Sequence, residues 1–188
     1  RDFFGKKIRN KGVIIGNPIE NNTIQRVDFS QINNTIVAFG RLEKQKNYTM
    51  LIDAFFLFAA QNPLFELHIY GRGKMQKELE MKIDLLGLSE VVKLCGFADN
   101  VPNILSKSKI FALSSLHEGL PNALLEALSS GIPSISTDCP PGGPKQLLNG
   151  CRGSLLVEND SSLAFAEAIK TINSKYSSFY SDALEDSK

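Results

Sequence analysis

The sequence has 188 residues, of which 43% are hydrophobic and 22% are charged, and its 21 Lys and Arg nearly balance its 20 Asp and Glu. This composition excludes a disordered or collagen-like chain, and the formal net charge of +1 gives no overall field that would attract a nucleic acid. The longest apolar run, residues 55–60, is far shorter than the roughly 20 residues that span a bilayer, so we expect no membrane-crossing helix.

The first 34 residues contain one short apolar run, Gly12 to Ile15, followed by a polar and Asn-rich stretch. The run predicts a strand and turn, and residues 19–34 are typical of a linker. We therefore divide the chain into an N-terminal strand and linker segment over 1–34, a domain over 35–175, and a C-terminal tail over 176–188.

From residue 35 onward, short runs rich in Val, Ile and Phe alternate with helical patterns, which predicts βαβ units and a parallel sheet. The candidate strands are Thr35 to Phe39, Phe65 to Tyr70, Val91 to Cys95, Ile110 to Leu113, Pro133 to Ser136 and Ser154 to Val157. The candidate helices cover residues 48–61, 74–86, 100–107, 121–130, 144–149 and 161–174. We predict an α/β fold with a doubly wound, Rossmann-like parallel sheet of about six strands.

A ligand site in such a sheet is expected at the point where the order of the parallel strands reverses. With the common order 3-2-1-4-5-6, strands one and four are neighbours, and the crevice lies between their carboxyl ends. This indicates two loops, Gly40 to Asn47 and Ser114 to Leu120.

The first loop carries two long cations, Arg41 and Lys46, just before a helix. Arg41 can bind phosphate oxygens through two N–H groups, Lys46 adds a mobile charge, and the helix N-terminus is electropositive. The residues alone leave two interpretations open, a diphosphate site or a solvated basic turn balanced by Glu43.

The second loop and the helix after it carry two carboxylates, Glu118 and Glu126, with Pro121 marking the helix start. Carboxylates accept hydrogen bonds, so the pair suits the hydroxyls of a sugar and a ribose, and the backbone N–H groups of Gly119 to Asn122 suit an anion. Two exposed glutamates with no ligand are the other interpretation of the same residues.

Taken together, these loops and the segments between them resemble the donor-binding, C-terminal domain of the family four retaining glycosyltransferases. The resemblance covers about residues 35–172. Its motifs are Gly40-Arg41-Leu42 with Lys46, Tyr70-Gly71-Arg72-Gly73, Cys95-Gly96-Phe97, Glu118-Gly119-Leu120-Pro121-Asn122 with Glu126-Ala127-Leu128, Gly131-Ile132-Pro133, and Ser136-Thr137-Asp138-Cys139-Pro140. It implies that the domain is one half of a GT-B fold, which pairs two Rossmann domains.

The resemblance also implies roles for single residues. Gly40, Arg41 and Lys46 would hold the nucleotide diphosphate, Gly96 and Phe97 would lie near the base, and Gly119, Leu120, Pro121 and Asn122 would seat the sugar and phosphate. Glu118 would bind the donor-sugar hydroxyls and Glu126 the ribose. Arg41, Lys46 and Glu118 are the expected catalytic residues, since cations at the diphosphate would stabilise the leaving group. We expect no metal and no other cofactor.

The function expected from this resemblance is transfer of a sugar from a nucleotide sugar, with UDP as the expected nucleotide, in bacterial surface polysaccharide (capsule or lipopolysaccharide) assembly. The saccharide or lipid-linked acceptor would bind through an N-terminal domain that this chain lacks. Two alternatives remain at this point, a GT-B-fold UDP-sugar epimerase or hydrolase and a non-catalytic nucleotide-binding module. Three positions depart from the usual pattern: Asn47, Arg72 and Gln146.

Cysteine usage and composition set expectations for location. Cys95, Cys139 and Cys151 match no metal or redox spacing, which favours a reducing, cytoplasmic compartment. We also expect peripheral association of the longer protein with the inner face of the plasma membrane.

Overall fold

The computed structural model describes residues 29–188 and contains one sheet of six parallel strands. The strands are β1 (Asn33–Phe39), β2 (Glu66–Tyr70), β3 (Val92–Gly96), β4 (Ser108–Leu113), β5 (Ser134–Thr137) and β6 (Ser154–Val157). Their order in the sheet is β3-β2-β1-β4-β5-β6, as predicted. The predicted strand at Gly12 to Ile15 lies outside the described residues.

Helices alternate with the strands along the chain. They are α1 (Tyr48–Ala59), α2 (Gln76–Leu85), α3 (Val101–Lys107), α4 (Asn122–Ser129), α5 (Gly143–Leu147), α6 (Ser162–Ser174) and α7 (Tyr176–Asp186), with short 3-10 helices at Phe29–Gln31 and Lys44–Lys46. None of the helices within residues 29–188 has both the length and the apolar character needed to cross a membrane.

Strand β1 shows why helices cover both faces of the sheet. Ile36 and Ala38 point into one apolar cluster, and Val37 and Phe39 point into a second one on the opposite face. All four side chains are buried, because successive residues of a strand point to opposite faces and both faces are covered here. The core therefore has two layers, one on each face of the sheet.

The observed helix bounds differ slightly from the predicted ones. The predicted helix over 121–130 begins one residue later, at Asn122, because Pro121 adopts an extended conformation (φ −73°, ψ 112°) and precedes the first helical residue. Similarly, the helix predicted from residue 74 begins at Gln76, and the one predicted over 144–149 covers Gly143–Leu147.

Residues 176–188, assigned from the sequence to a tail, contain helix α7, which packs on the edge of the sheet. The carboxylate of Asp186 accepts hydrogen bonds from the backbone N–H groups of Arg152 and Gly153, both at 2.8 Å. A Cβ atom on Gly153 would lie 2.3 Å from the backbone nitrogen of Ala183, so only glycine allows this close approach. The helix is therefore part of the packed domain.

Candidate functional site

The loops that follow β1 and β2 are held side by side at the carboxyl edge of the sheet. Gly40 N–H donates to the Tyr70 carbonyl and Leu42 N–H donates to the Arg72 carbonyl, each at 3.0 Å. Gly71 has a φ of +149°, and a Cβ there would lie 1.8 Å from the carbonyl oxygen of Gly40. Glycine at position 71 thus sets the spacing between the two loops.

A cleft of about 440 Å³ opens beside these loops. It combines two cations, Arg41 and Arg72, with aromatic side chains, and the Arg41 guanidinium is 70% exposed with its Nη1 3.2 Å from Glu43 Oε1. Three predicted site residues, Gly40, Arg41 and Phe97, line it, and Gly96 ends the strand that leads to Phe97. The lining residues are Phe39, Gly40, Arg41, Tyr70, Gly71, Arg72, Phe97, Ala98 and Val101.

Lys46 and Glu118, from the two loops predicted to meet, form an ion pair next to this cleft. Lys46 Nζ lies 2.6 Å from Glu118 Oε1, and the two side chains are only 16% and 9% exposed. The same carboxylate oxygen accepts a hydrogen bond of 2.8 Å from the buried hydroxyl of Ser115. Glu118 is therefore held by both Lys46 and Ser115. An anionic ligand that binds Lys46 would have to displace Glu118 or share the lysine with it.

Backbone contacts fix the two loops to one another. Ser114 Oγ donates to the Lys46 carbonyl at 2.7 Å, and Leu116 N–H donates to the Gln45 carbonyl at 2.8 Å. Thr137, at the end of β5, donates from its hydroxyl to the Ser115 carbonyl at 2.6 Å. The position of Glu118 thus depends on the ends of three strands, β1, β4 and β5.

Tyr48, the first residue of α1, has its hydroxyl close to Gly40 and to the end of the Lys46 side chain. Its side chain is buried, and its hydroxyl finds no hydrogen-bond partner among residues 29–188. Burial and, to a smaller extent, the charge of Glu118 raise the pKa of the Tyr48 hydroxyl above its usual value.

The segment from Gly119 to Asn122 leads from Glu118 to the N-terminus of α4. Glu118 N–H donates to the Pro140 carbonyl at 2.9 Å, and α5 packs so tightly here that a Cβ on Gly143 would lie 1.2 Å from the Gly119 carbonyl oxygen. Gly119 and Asn122 are exposed, Leu120 is half-buried, and Pro121 is buried. The predicted anion-binding segment is therefore accessible and has a defined conformation.

Glu126 lies one turn further along α4, on its exposed side. Desolvation raises the pKa of this carboxyl group above its usual range, although the residue is surface-exposed. The structure therefore brings Lys46 and Glu118 into contact and groups Gly40, Arg41 and Phe97 around one cleft, and Glu126 is not among the residues that line this cleft.

Sequence reasoning missed three residues that support the site: Tyr48, Ser115 and Thr137. Ser115 and Thr137 carried one usable signal, because each is a hydroxyl residue at or just past the end of a predicted strand. Among residues 29–188, no group of three or more His, Cys, Asp and Glu is placed to hold a metal ion.

Comparison with known proteins identifies the family of the chain. The sequence profile of the glycosyl transferases group 1 matches residues 33–174. The chain belongs to this family. The expected resemblance to glycosyltransferases is confirmed, and so is the doubly wound sheet as one half of a GT-B fold.

Two curated relatives show which proteins the chain is similar to. An uncharacterized glycosyltransferase of Methanocaldococcus jannaschii is 34% identical over 153 residues, covering 76% of this chain and 37% of the relative. An N-acetylgalactosaminyltransferase of Campylobacter jejuni, named for a diphospho-undecaprenol-linked substrate, is 34% identical over 137 residues, covering 73% of this chain and 36% of the relative. The chain thus spans little more than a third of the length of these two relatives.

Solved structures agree on the fold. The Anabaena protein HepE, solved with UDP and glucose, superimposes with a TM-score of 0.80 at 24% identity and covers 91% of this chain and 50% of that chain. The C-terminal domain of a group 1 glycosyl transferase (LpcC) of Francisella tularensis gives a TM-score of 0.78 at 22% identity and covers 90% of this chain and 95% of that one.

Proposed function

We propose that this chain is the donor-binding domain of a retaining glycosyltransferase that takes a sugar from a UDP-sugar. The observation that carries the proposal is the Lys46–Glu118 pair, placed where the loops after β1 and β4 meet and beside the cleft of Arg41 and Phe97. One cation there suits a diphosphate and the adjoining carboxylate suits sugar hydroxyls, so both parts of a nucleotide sugar find a matching group.

The proposed mechanism depends on charge at the leaving group. As the bond between sugar and diphosphate breaks, negative charge builds on the diphosphate, and Arg41, Lys46 and the N-terminus of α4 stabilise it electrostatically. Glu118 orients the sugar through its hydroxyls, and Glu126 accepts hydrogen bonds from the ribose. These groups supply the stabilisation without a divalent cation.

We infer that a saccharide or lipid-linked acceptor binds a second domain outside this chain, because the matched relatives are more than twice as long. Relatives named for amylovoran and colanic acid biosynthesis support a role in bacterial polysaccharide biosynthesis.

Calorimetry with UDP on the 188-residue chain tests the donor site. Arg41→Ala and Lys46→Ala each remove a charged hydrogen-bond donor, which corresponds to about a 10- to 150-fold loss of affinity. Lys44→Ala is the matched control, since Lys44 is an exposed cation in the same 3-10 helix as Lys46. The assignment fails if the folded wild type does not bind UDP, or if Lys44→Ala loses as much affinity as the other two variants.

A further inference from the structure

Tyr48 carries a buried hydroxyl group that the proposed mechanism does not use. Its side chain is 4% exposed, and a buried hydroxyl with no partner costs free energy unless something compensates for it. The groups that surround the hydroxyl indicate what could compensate for this cost.

The Tyr48 hydroxyl lies beside the Lys46–Glu118 ion pair. A Cβ placed on Gly40 would lie 2.9 Å from the Tyr48 hydroxyl and 2.7 Å from Lys46 Cε, so the hydroxyl and the end of the lysine side chain converge on one point above Gly40. Lys46 Nζ is bonded to that Cε and reaches Glu118 Oε1 at 2.6 Å. The hydroxyl thus lies next to a salt bridge in which it takes no part.

Ligand binding would change this arrangement. If Lys46 turns toward a diphosphate, Glu118 keeps only Ser115 as a side-chain donor among the described residues, at 2.8 Å. A half-paired, largely buried carboxylate is unfavourable, and a neutral phenol hydroxyl is a strong donor to it. The charge of Glu118 contributes to the raised pKa of Tyr48, which agrees with their proximity.

We propose that Tyr48 is a positioning residue whose hydroxyl donates to Glu118 when Lys46 engages the donor diphosphate. This inference rests on the proposed function, because it assigns a step to the same donor site. Tyr48 holds the carboxylate in place for the sugar hydroxyls and lowers the cost of drawing Lys46 away. It acts through Glu118 and does not touch the donor.

The test compares Tyr48→Phe with Tyr176→Phe. Tyr176 also has a buried hydroxyl without a partner, but its ring contacts Lys109 near the start of β4, at the opposite edge of the sheet. Each substitution removes only an unpaired hydroxyl, so neither variant should have a lower melting temperature than the wild type. By calorimetry, Tyr48→Phe should bind UDP about tenfold more weakly, and Tyr176→Phe should bind it as the wild type does.

A double-mutant cycle with Glu118→Gln separates positioning from a structural role. The proposed hydrogen bond stabilises the negative charge of Glu118, and Glu118→Gln removes that charge. Tyr48→Phe should therefore cause no further loss of UDP affinity in the Glu118→Gln background. An equal loss in both backgrounds, or wild-type affinity in Tyr48→Phe, overturns the role of Tyr48 and leaves the proposed function standing. Absence of UDP binding by the wild type overturns the proposed function and this inference with it.

Discussion

At the scale of single residues, Glu118 and Glu126 occupy different environments and should affect binding differently. Glu126 is exposed on α4 and is proposed to hold the ribose, so Glu126→Gln should weaken UDP and a UDP-sugar to the same extent, by about tenfold. Glu118→Gln should weaken UDP-glucose or UDP-N-acetylglucosamine more than it weakens UDP. Equal losses of UDP in both variants, each shown to be folded by circular dichroism, would refute this division of roles.

The same prediction has a pH dependence with a definite sign. The pKa of Glu126 is raised by desolvation, so its carboxylate is protonated at a higher pH than an unshifted glutamate, and UDP affinity should fall earlier on acidification. A raised carboxyl pKa also means that ionised Glu126 slightly disfavours the folded state at neutral pH, so Glu126→Gln should not lower the melting temperature there. Titrations of UDP affinity against pH should therefore be flatter for Glu126→Gln than for the wild type.

The site residues that could be predicted from the sequence are those whose side-chain chemistry alone suggests contact with a ligand. Arg41, Lys46, Glu118 and Glu126 are charged residues in the two loops or on the helix that follows one of them, and Lys46 forms an ion pair with Glu118. Tyr48 could not be found this way, because the periodicity of α1 predicts a core position and its missing partner depends on tertiary contacts. The sequence also did not show that Lys46 and Glu118 are bonded to each other.

At the scale of elements, the contact between the loops after β1 and β2 should control the cleft. In Gly71→Ala the new methyl group would meet the Gly40 carbonyl oxygen, so the loops must separate, at a cost of about 3 kcal/mol and with weaker UDP binding. Gly87→Ala is the control, since Gly87 also has a positive φ, of +66°, but has nothing within 4 Å of its Cβ position. Chemical denaturation and calorimetry check both effects; equal behaviour of the two variants would show that the close contact is unimportant.

The sheet was the most predictable feature because its two central strands, β1 and β4, are largely buried on both faces and contain nearly continuous apolar runs. Helix α7 was the least predictable, since only Tyr176 and Ala183 are buried along its 11 residues. Its position comes instead from Asp186, which caps the backbone of Arg152 and Gly153, and from the small residues beneath it. Such contacts form only in the folded chain and leave no periodic pattern in the sequence.

At the scale of the whole molecule, a nearly neutral chain concentrates cations where the strands end. The formal net charge is +1, yet Arg41 and Arg72 line one cleft and Lys46 lies beside it. Net charge therefore excludes general binding to nucleic acids but carries no information on a local anion site.

Binding of UDP by the chain should not require a divalent cation, because side chains and a helix N-terminus already meet the charge of the diphosphate. Calorimetry in EDTA and in MgCl₂ should give affinities that agree within about twofold. Lys46→Ala should show the same relative loss in both buffers, which would demonstrate that the same site is occupied in each. In a longer protein that carries the proposed acceptor domain, sugar transfer should likewise persist in EDTA. Loss of UDP binding in EDTA that Mn²⁺ restores would contradict the prediction and would mean that Arg41 and Lys46 are insufficient to neutralise the diphosphate.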